Sequence, residues 1–243
     1  MRRATRFGSQ LKEFIESKDM FRVLYSSKNP QNSLFVLDSS FNPPHYGHLE
    51  LIKRAAPPKS HIILLLSVNN ADKKPIPASF DQRLDMIYKF GQNLLTHDSL
   101  NYTICVSKSP KFVEKSLEIN QIFEGTKTYL LGFDTLVRVF NPKYYVPLTI
   151  TEALDEFVLS NNFFCLTRET EVYHQVEYLN ALKSGKTDLP SSWGDRIELA
   201  VNKENNSVIS SSDIRSRFNS NSSVDNLTTS DIIEYVQENQ IYT

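Results

Sequence analysis

Only two cysteines, Cys105 and Cys165, occur in this chain, and each lies inside an apolar run. Two such residues do not make a disulfide framework; they read as small core residues of a reducing compartment. Long apolar runs are also missing. The longest, "HIILLLSV", is far too short to span a bilayer, which calls for about 20 residues. The start, "MRRATRFGSQLKEF", has Arg2, Arg3 and Arg6 but no apolar signal core, and Glu13 and Glu16 follow; a basic, solvated start is expected. Charge of one sign is lacking too. With 27 basic and 28 acidic residues and a net charge of −1, the chain has no footprint for nucleic acid. The expected protein uses small-molecule ligands, touches no membrane, and resides in cytoplasm or nucleus.

What is present is alternation. Helix is expected over 9–26, then strand at "SLFVLD" (33–38), and a helix through "HLELIKRAA" that stops at Pro57-Pro58. Strands follow at 61–68, 102–107, 128–134, 162–169 and 196–201. Between them fall helices near 79–94, with Ser79 as N-cap, and near 113–123, 134–140, 149–158 and 171–182. "SSDIRSRF" and "TSDIIEYVQENQIY" close the chain as helices. Strands of near-continuous Ile, Leu and Val predict an α/β fold: a Rossmann-like open parallel sheet with helices on both faces. No repeat or linker is seen. Residues 1–32 read as an N-terminal helical extension and 33–243 as the domain. In such sheets ligands bind beyond the carboxyl ends of strands, where the strand order reverses.

That rule draws attention to "DSSFNPPHYGHLE" (38–50), which follows the first expected strand of the domain. Ser39, Ser40 and Phe41 leave the strand in a turn. Pro43 and Pro44 stiffen it, and Gly47 allows close approach at a helix start. His45 and His48, three apart, can face one spot beside a helix N-terminus, where an anion is favoured. A histidine pair alone more often caps a helix at the surface. A zinc site lacks a third His, a Cys or a placed acid. A second cluster, "VISSSDIRSRF" (208–218), reads as another helix N-terminus, with Ser211 and Ser212 hydroxyls and the Arg215 fork suited to phosphate. "EGTKT" (124–128) echoes a phosphate-binding loop but precedes a strand and lacks the full pattern; it reads as a turn.

"SSFNPPHYGHLELIKRA" resembles the H-x-G-H signature of nucleotidyltransferases in the form used by nicotinamide mononucleotide adenylyltransferases, and "VISSSDIRSRF" resembles that family's I-S-S-T-x-I-R motif. The resemblance implies adenylyl transfer from ATP to nicotinamide or nicotinate mononucleotide, giving the dinucleotide and pyrophosphate. Mg²⁺ or another divalent ion would be carried on the ATP phosphates, with no protein metal site. His45, His48 and Arg215 take the catalytic positions. Ser40, Phe41, His48, Gly132, Asp134, Ser211, Ser212, Asp213, Ile214 and Arg215 would meet ATP. Gly132 and Asp134 belong to "LLGFDTLVRVF", which resembles the family's G-x-D segment. Ser39, Ser40, Lys73, Lys74, Phe112, Tyr144, Tyr145 and Arg168 would meet the mononucleotide. The family's stacking tryptophans lack counterparts; Phe112 and Tyr144 or Tyr145 lie near those positions, and Trp193 is in a later loop. Ser39 stands in place of the family's glycine, and Asp213 in place of a basic residue. These departures leave open an ATP-binding or ATP-hydrolysing interaction protein on the same fold, or a transferase for another phosphate acceptor.

Overall fold

In a computed structural model, residues 4–28, 33–68, 77–167, 172–201 and 209–242 are described. The first elements are α1 (Gly8–Glu16), β1 (Phe21–Ser26), β2 (Ser33–Asp38), α2 (Tyr46–Ala55), β3 (His61–Ser67), α3 (Phe80–His97), β4 (Asn101–Ser107) and α4 (Phe112–Asn120). The chain continues through β5 (Thr126–Gly132), α5 (Phe133–Val139), α6 (Ile150–Leu159), β6 (Asn162–Leu166), α7 (Val172–Lys183), β7 (Ile197–Ala200), α8 (Ser211–Asn219) and α9 (Ser230–Glu238). The strands form one sheet in the order β1-β4-β3-β2-β5-β6-β7.

Every neighbouring pair from β4 to β7 is parallel, as the apolar strands predict. Their side chains alternate between two cores. Ile62, Leu64 and Leu66 face one core with α1, α2, α3 and α9 residues, while Ile63 and Leu65 face the other with α4, α5 and α6 residues. Burial on both faces explains why these strands carry no polar alternation. From β2 the chain builds outward through β3 and β4, then returns to β2's other side for β5, β6 and β7. The order therefore reverses at β2, and a crevice opens between the carboxyl ends of β2 and β5.

The N-terminal reading needs correction. The helix expected over 9–26 ends at Glu16, and residues 21–26 form β1, which runs antiparallel to β4 at the sheet edge. Phe7, Leu11 and Phe14 are buried in the first core. Thr5 donates to Asp81, the Arg6 amide donates to Asp85, and both acceptors lie on α3. Residues 4–28 thus pack into the sheet edge and the first core rather than extending from the domain. Pairing with β4, some 80 residues away, overrides the local helical pattern.

Candidate active site

A cavity of about 550 Å³ opens at the strand-order reversal. It is lined by Asp38 at the end of β2 and Ser39 and Ser40 just after it, by His45, Gly47 and His48 at α2, and by Gly132 at the end of β5. Ser210–Ser212 and Arg215 of α8 complete its other lip. The two motifs, more than 160 residues apart, are locked together through the carbonyls of the proline turn. Ser211 Oγ donates to Pro43 O at 2.9 Å, Arg215 Nη1 to Asn42 O at 2.8 Å, and Thr228 Oγ1 to Pro44 O at 2.8 Å. The prolines lack amide donors, so the turn presents acceptors that α8 and the following loop can hold.

The helix start at α2 differs from expectation. Its amides do not wait for an anion: Tyr46 N donates to Leu227 O, Gly47 N to His45 Nδ1, and His48 N to His45 O. The His45 amide in turn donates to His48 Nδ1 at 3.1 Å. Because both Nδ1 atoms accept from backbone, each neutral ring carries its proton on Nε2. The rings lie 3.8 Å apart. What this tip offers is a pair of Nε2–H donors. Burial, and after it the neighbouring His45, hold the His48 pKa well below the usual 6.5, so His48 is neutral at physiological pH. Its Nε2 lies 2.9 Å from Ser39 Oγ; with the proton on Nε2, the serine oxygen accepts.

At α8, Ser210 is the N-cap and accepts from the Asp213 amide, while Ser211 and Ser212 border the cavity. Arg215 Nη2 also donates to Ser212 Oγ, which fixes the guanidinium over the helix start. Asp213 does not face the cavity. Its amide is capped by Ser210 and its carboxylate pairs with Arg217 at 2.9 Å, so its charge is turned away from the site. Ile214 is fully buried and its amide donates to Ser210 O, leaving it nothing to offer ATP. Phe41 is likewise buried, with φ at 44°, its ring 5.3 Å from that of His48; it braces the imidazole from behind. Asp134, in the first turn of α5, is exposed and outside the cavity wall; Gly132 is the N-cap there.

Gly132 itself borders the cavity, and a Cβ built on it meets no atom within 4 Å. No protein contact demands glycine there, so the space above it is available to a ligand. Phe112, Tyr144 and Tyr145 do line the cavity. Tyr145 is buried and donates its hydroxyl to Val139 O at 2.8 Å. Trp193 is fully buried against Phe140 and donates to Asp155 at 2.8 Å; it is a core residue. Lys73, Lys74 and Arg168 lie outside the described residues.

Four lining cations were not among the site residues expected from the sequence, although Arg83 and Arg138 lie on expected helices: Arg83, Lys111, Lys115 and Arg138. Arg83 is the most telling. It is 4% exposed, donates through Nε to Ala78 O, and has no carboxylate partner among the described residues. Burial, together with nearby Arg215, lowers its pKa. A guanidinium kept desolvated beside a second one costs stability unless an anion arrives. Its position four residues after the Ser79 N-cap was the signal available in the sequence. Asp38 is the one carboxylate among the described lining residues, against Arg83, Lys111, Lys115, Arg138 and Arg215. The cavity is built for a polyanion.

Comparison with known proteins decides the family. Residues 36–217 match the family described as cytidylyltransferase-like. The chain is 34% identical over 210 residues to a Schizosaccharomyces pombe protein named "Putative nicotinamide mononucleotide adenylyltransferase", covering 84% of this chain and 83% of that one. This chain belongs to the nicotinamide mononucleotide adenylyltransferase family of cytidylyltransferase-like proteins. The fold agrees with two solved structures of Plasmodium falciparum nicotinic acid mononucleotide adenylyltransferase, one complexed with NaAD and one with APC. Each has a TM-score of 0.57 and covers 87% of this chain and 98% of the other, at 16% and 14% identity. The family membership accounts for both motifs and makes this chain a nucleotidyltransferase. No helix among the described residues is long and apolar enough to cross a membrane.

Proposed function

We propose that the cavity binds ATP and a pyridine mononucleotide together and joins them as a dinucleotide, releasing pyrophosphate. An oxygen of the mononucleotide 5′-phosphate attacks the α-phosphorus of ATP. The new P–O bond forms as the bond to the β-phosphate bridging oxygen breaks, and that oxygen's electron pair leaves with pyrophosphate. A phosphate is already ionised, so no general base is required. The protein's work is alignment of two anions and stabilisation of charge on the α-phosphoryl group.

The observation that carries this reading is the pair of Nε2–H imidazoles facing the same crevice as the Arg215 fork. His48 Nε2 donates to the reacting phosphoryl and exchanges Ser39 Oγ for a phosphate oxygen. His45 supports the neighbouring bridging region. Arg215, Ser211 and Ser212 hold the departing pyrophosphate. Arg83 sits within reach of Arg215's field and adds a second guanidinium to the phosphate tail.

The lining fits a divalent ion that arrives with ATP. Its described carboxylate, Asp38, is paired with Lys115, so phosphate oxygens would hold Mg²⁺, which supplies charge neutralisation there. Phe112, Tyr144 and Tyr145 offer ring faces and edges for the pyridine. The same chemistry suits a compartment where ATP and reduced thiols abound, cytoplasm or nucleus. The test is dinucleotide formation by the purified protein with ATP, Mg²⁺ and either mononucleotide. Stoichiometric dinucleotide and pyrophosphate are expected; ATP consumption without dinucleotide would overturn the reading.

A further inference from the structure

At the aromatic end of the cavity lies a buried ion pair between Asp38, at the head of the first motif, and Lys115, which neither motif contains. Asp38 closes β2, and Lys115 sits in the second turn of α4. Lys115 Nζ donates to Asp38 Oδ2, and their side chains are 5% and 7% exposed. Both line the cavity. Lys115 Nζ lies 5.1 Å from the Phe112 ring centre, and Lys111 Nζ lies 5.7 Å from that of Tyr145. The start of α4 therefore ties the ion pair to both aromatics. Ser67, at the end of β3, also lines the cavity, its Oγ buried and without a hydrogen-bond partner among the described residues.

A buried ion pair seldom stabilises a fold more than apolar residues of the same shape. Its place in a cavity wall points to recognition. The pair has unused hydrogen-bonding capacity of both kinds. An ammonium has three donors, one of which serves Asp38, and among the described residues nothing donates to Asp38 Oδ1. We infer that Asp38 and Lys115 read the substituent on the pyridine ring and select a carboxamide over a carboxylate. This rests on the mononucleotide reading above.

The complementarity is chemical. A carboxamide has an N–H₂ donor for Asp38 and a carbonyl acceptor for Lys115. A carboxylate satisfies Lys115 but sets a second negative charge against Asp38. At about 4 Å and an effective dielectric near 20, such repulsion is large enough to offset the attraction of Lys115. Discrimination against a group that leaves a buried polar atom unpaired is also the strongest kind a site can exert.

The experiment compares kcat/KM for nicotinamide and nicotinate mononucleotide in wild type, Asp38→Asn and Lys115→Met, with thermal unfolding confirming folded protein. Wild type should favour the amide by at least about tenfold. Asp38→Asn leaves Lys115 an uncompensated cation, so the preference should fall at least about tenfold, through a gain with nicotinate. Lys115→Met leaves the carboxylate alone and should deepen the bias against nicotinate. Should Asp38→Asn fail to fold, the Lys115→Met ratio decides. Ratios within twofold of wild type in folded variants would overturn the inference while leaving adenylyl transfer standing. No dinucleotide from either mononucleotide in wild type would instead overturn the transfer reading, and this inference with it.

Discussion

The two ends of the cavity are built on different principles. At the phosphate end, each reactive group is fixed by a backbone partner: His48 by the His45 amide of its own helix start, and Arg215 and Ser211 by Asn42 O and Pro43 O of a distant turn. At the pyridine end, aromatic rings rest over lysines, and one lysine is paired with Asp38. The first end positions charge donors to within a hydrogen bond, which is what phosphoryl chemistry needs. The second presents surfaces and a donor–acceptor pair, which is what recognition of a planar ring needs. On the proposed reading, mutation should separate catalysis from specificity.

The largest effect is expected at the phosphate end. His48→Ala should lower kcat by about 10²- to 10³-fold, the cost of losing one oxyanion-type donor, while circular dichroism remains that of the folded protein. Near wild-type turnover in that variant would erase the distinction between the ends. Arg215→Ala should lower kcat/KM for ATP by roughly 10- to 100-fold, the worth of a hydrogen bond to a charged group, with a smaller change for the mononucleotide.

Arg83 sharpens the comparison differently. Arg83→Met removes a buried cation with no described carboxylate partner, so the unliganded protein should melt at the same or a higher temperature. Activity should nonetheless fall roughly tenfold or more. A drop in both would mean that Arg83 serves the fold.

Acid should act on the fold through the histidines. Burial lowers the pKa of His61 from 6.5 to about 4, where its Nε2 lies 2.7 Å from Thr103 Oγ1, and His48 is shifted the same way. A depressed folded pKa means that the unfolded chain binds more protons below pH 6.5. Stability is therefore full above about pH 6.5 and declines as pH falls toward 4, by about 3 kcal/mol at most from His61. Urea unfolding across this window checks it, and His61→Gln should flatten the slope.

The smallest expected effect is at Ser39. Its hydroxyl occupies the His48 donor, so Ser39→Gly should free that donor and raise kcat/KM by roughly two- to fivefold, within the range of one neutral hydrogen bond. Steady-state rates with saturating mononucleotide measure this.

Legibility in the sequence follows the range of the interactions. β2 and the Ser79 N-cap of α3 depend on neighbours a few residues away, and both stand where the local pattern puts them. The two phosphate motifs were legible as strings because turn and cap chemistry is local. β1 was not, since "FRVLYS" becomes a strand only against β4. The Asp38–Lys115 pair joins residues 77 apart, and no spacing rule connects them. The α2 amides misled for a subtler reason. A helix start is an anion site by default, but here His45, His48 and the Leu227 carbonyl satisfy its amides. The orientation of Asp213 turned on its i,i+4 pairing with Arg217.

The most direct measurement follows the α-phosphorus. Wild-type protein, given ATP labelled at that atom, Mg²⁺ and nicotinamide mononucleotide, should move the label into the dinucleotide with one pyrophosphate per turnover, and His48→Ala should slow that transfer by about 10²- to 10³-fold. Label recovered in ADP, with no dinucleotide formed, would contradict a cavity that aligns two nucleotides for adenylyl transfer.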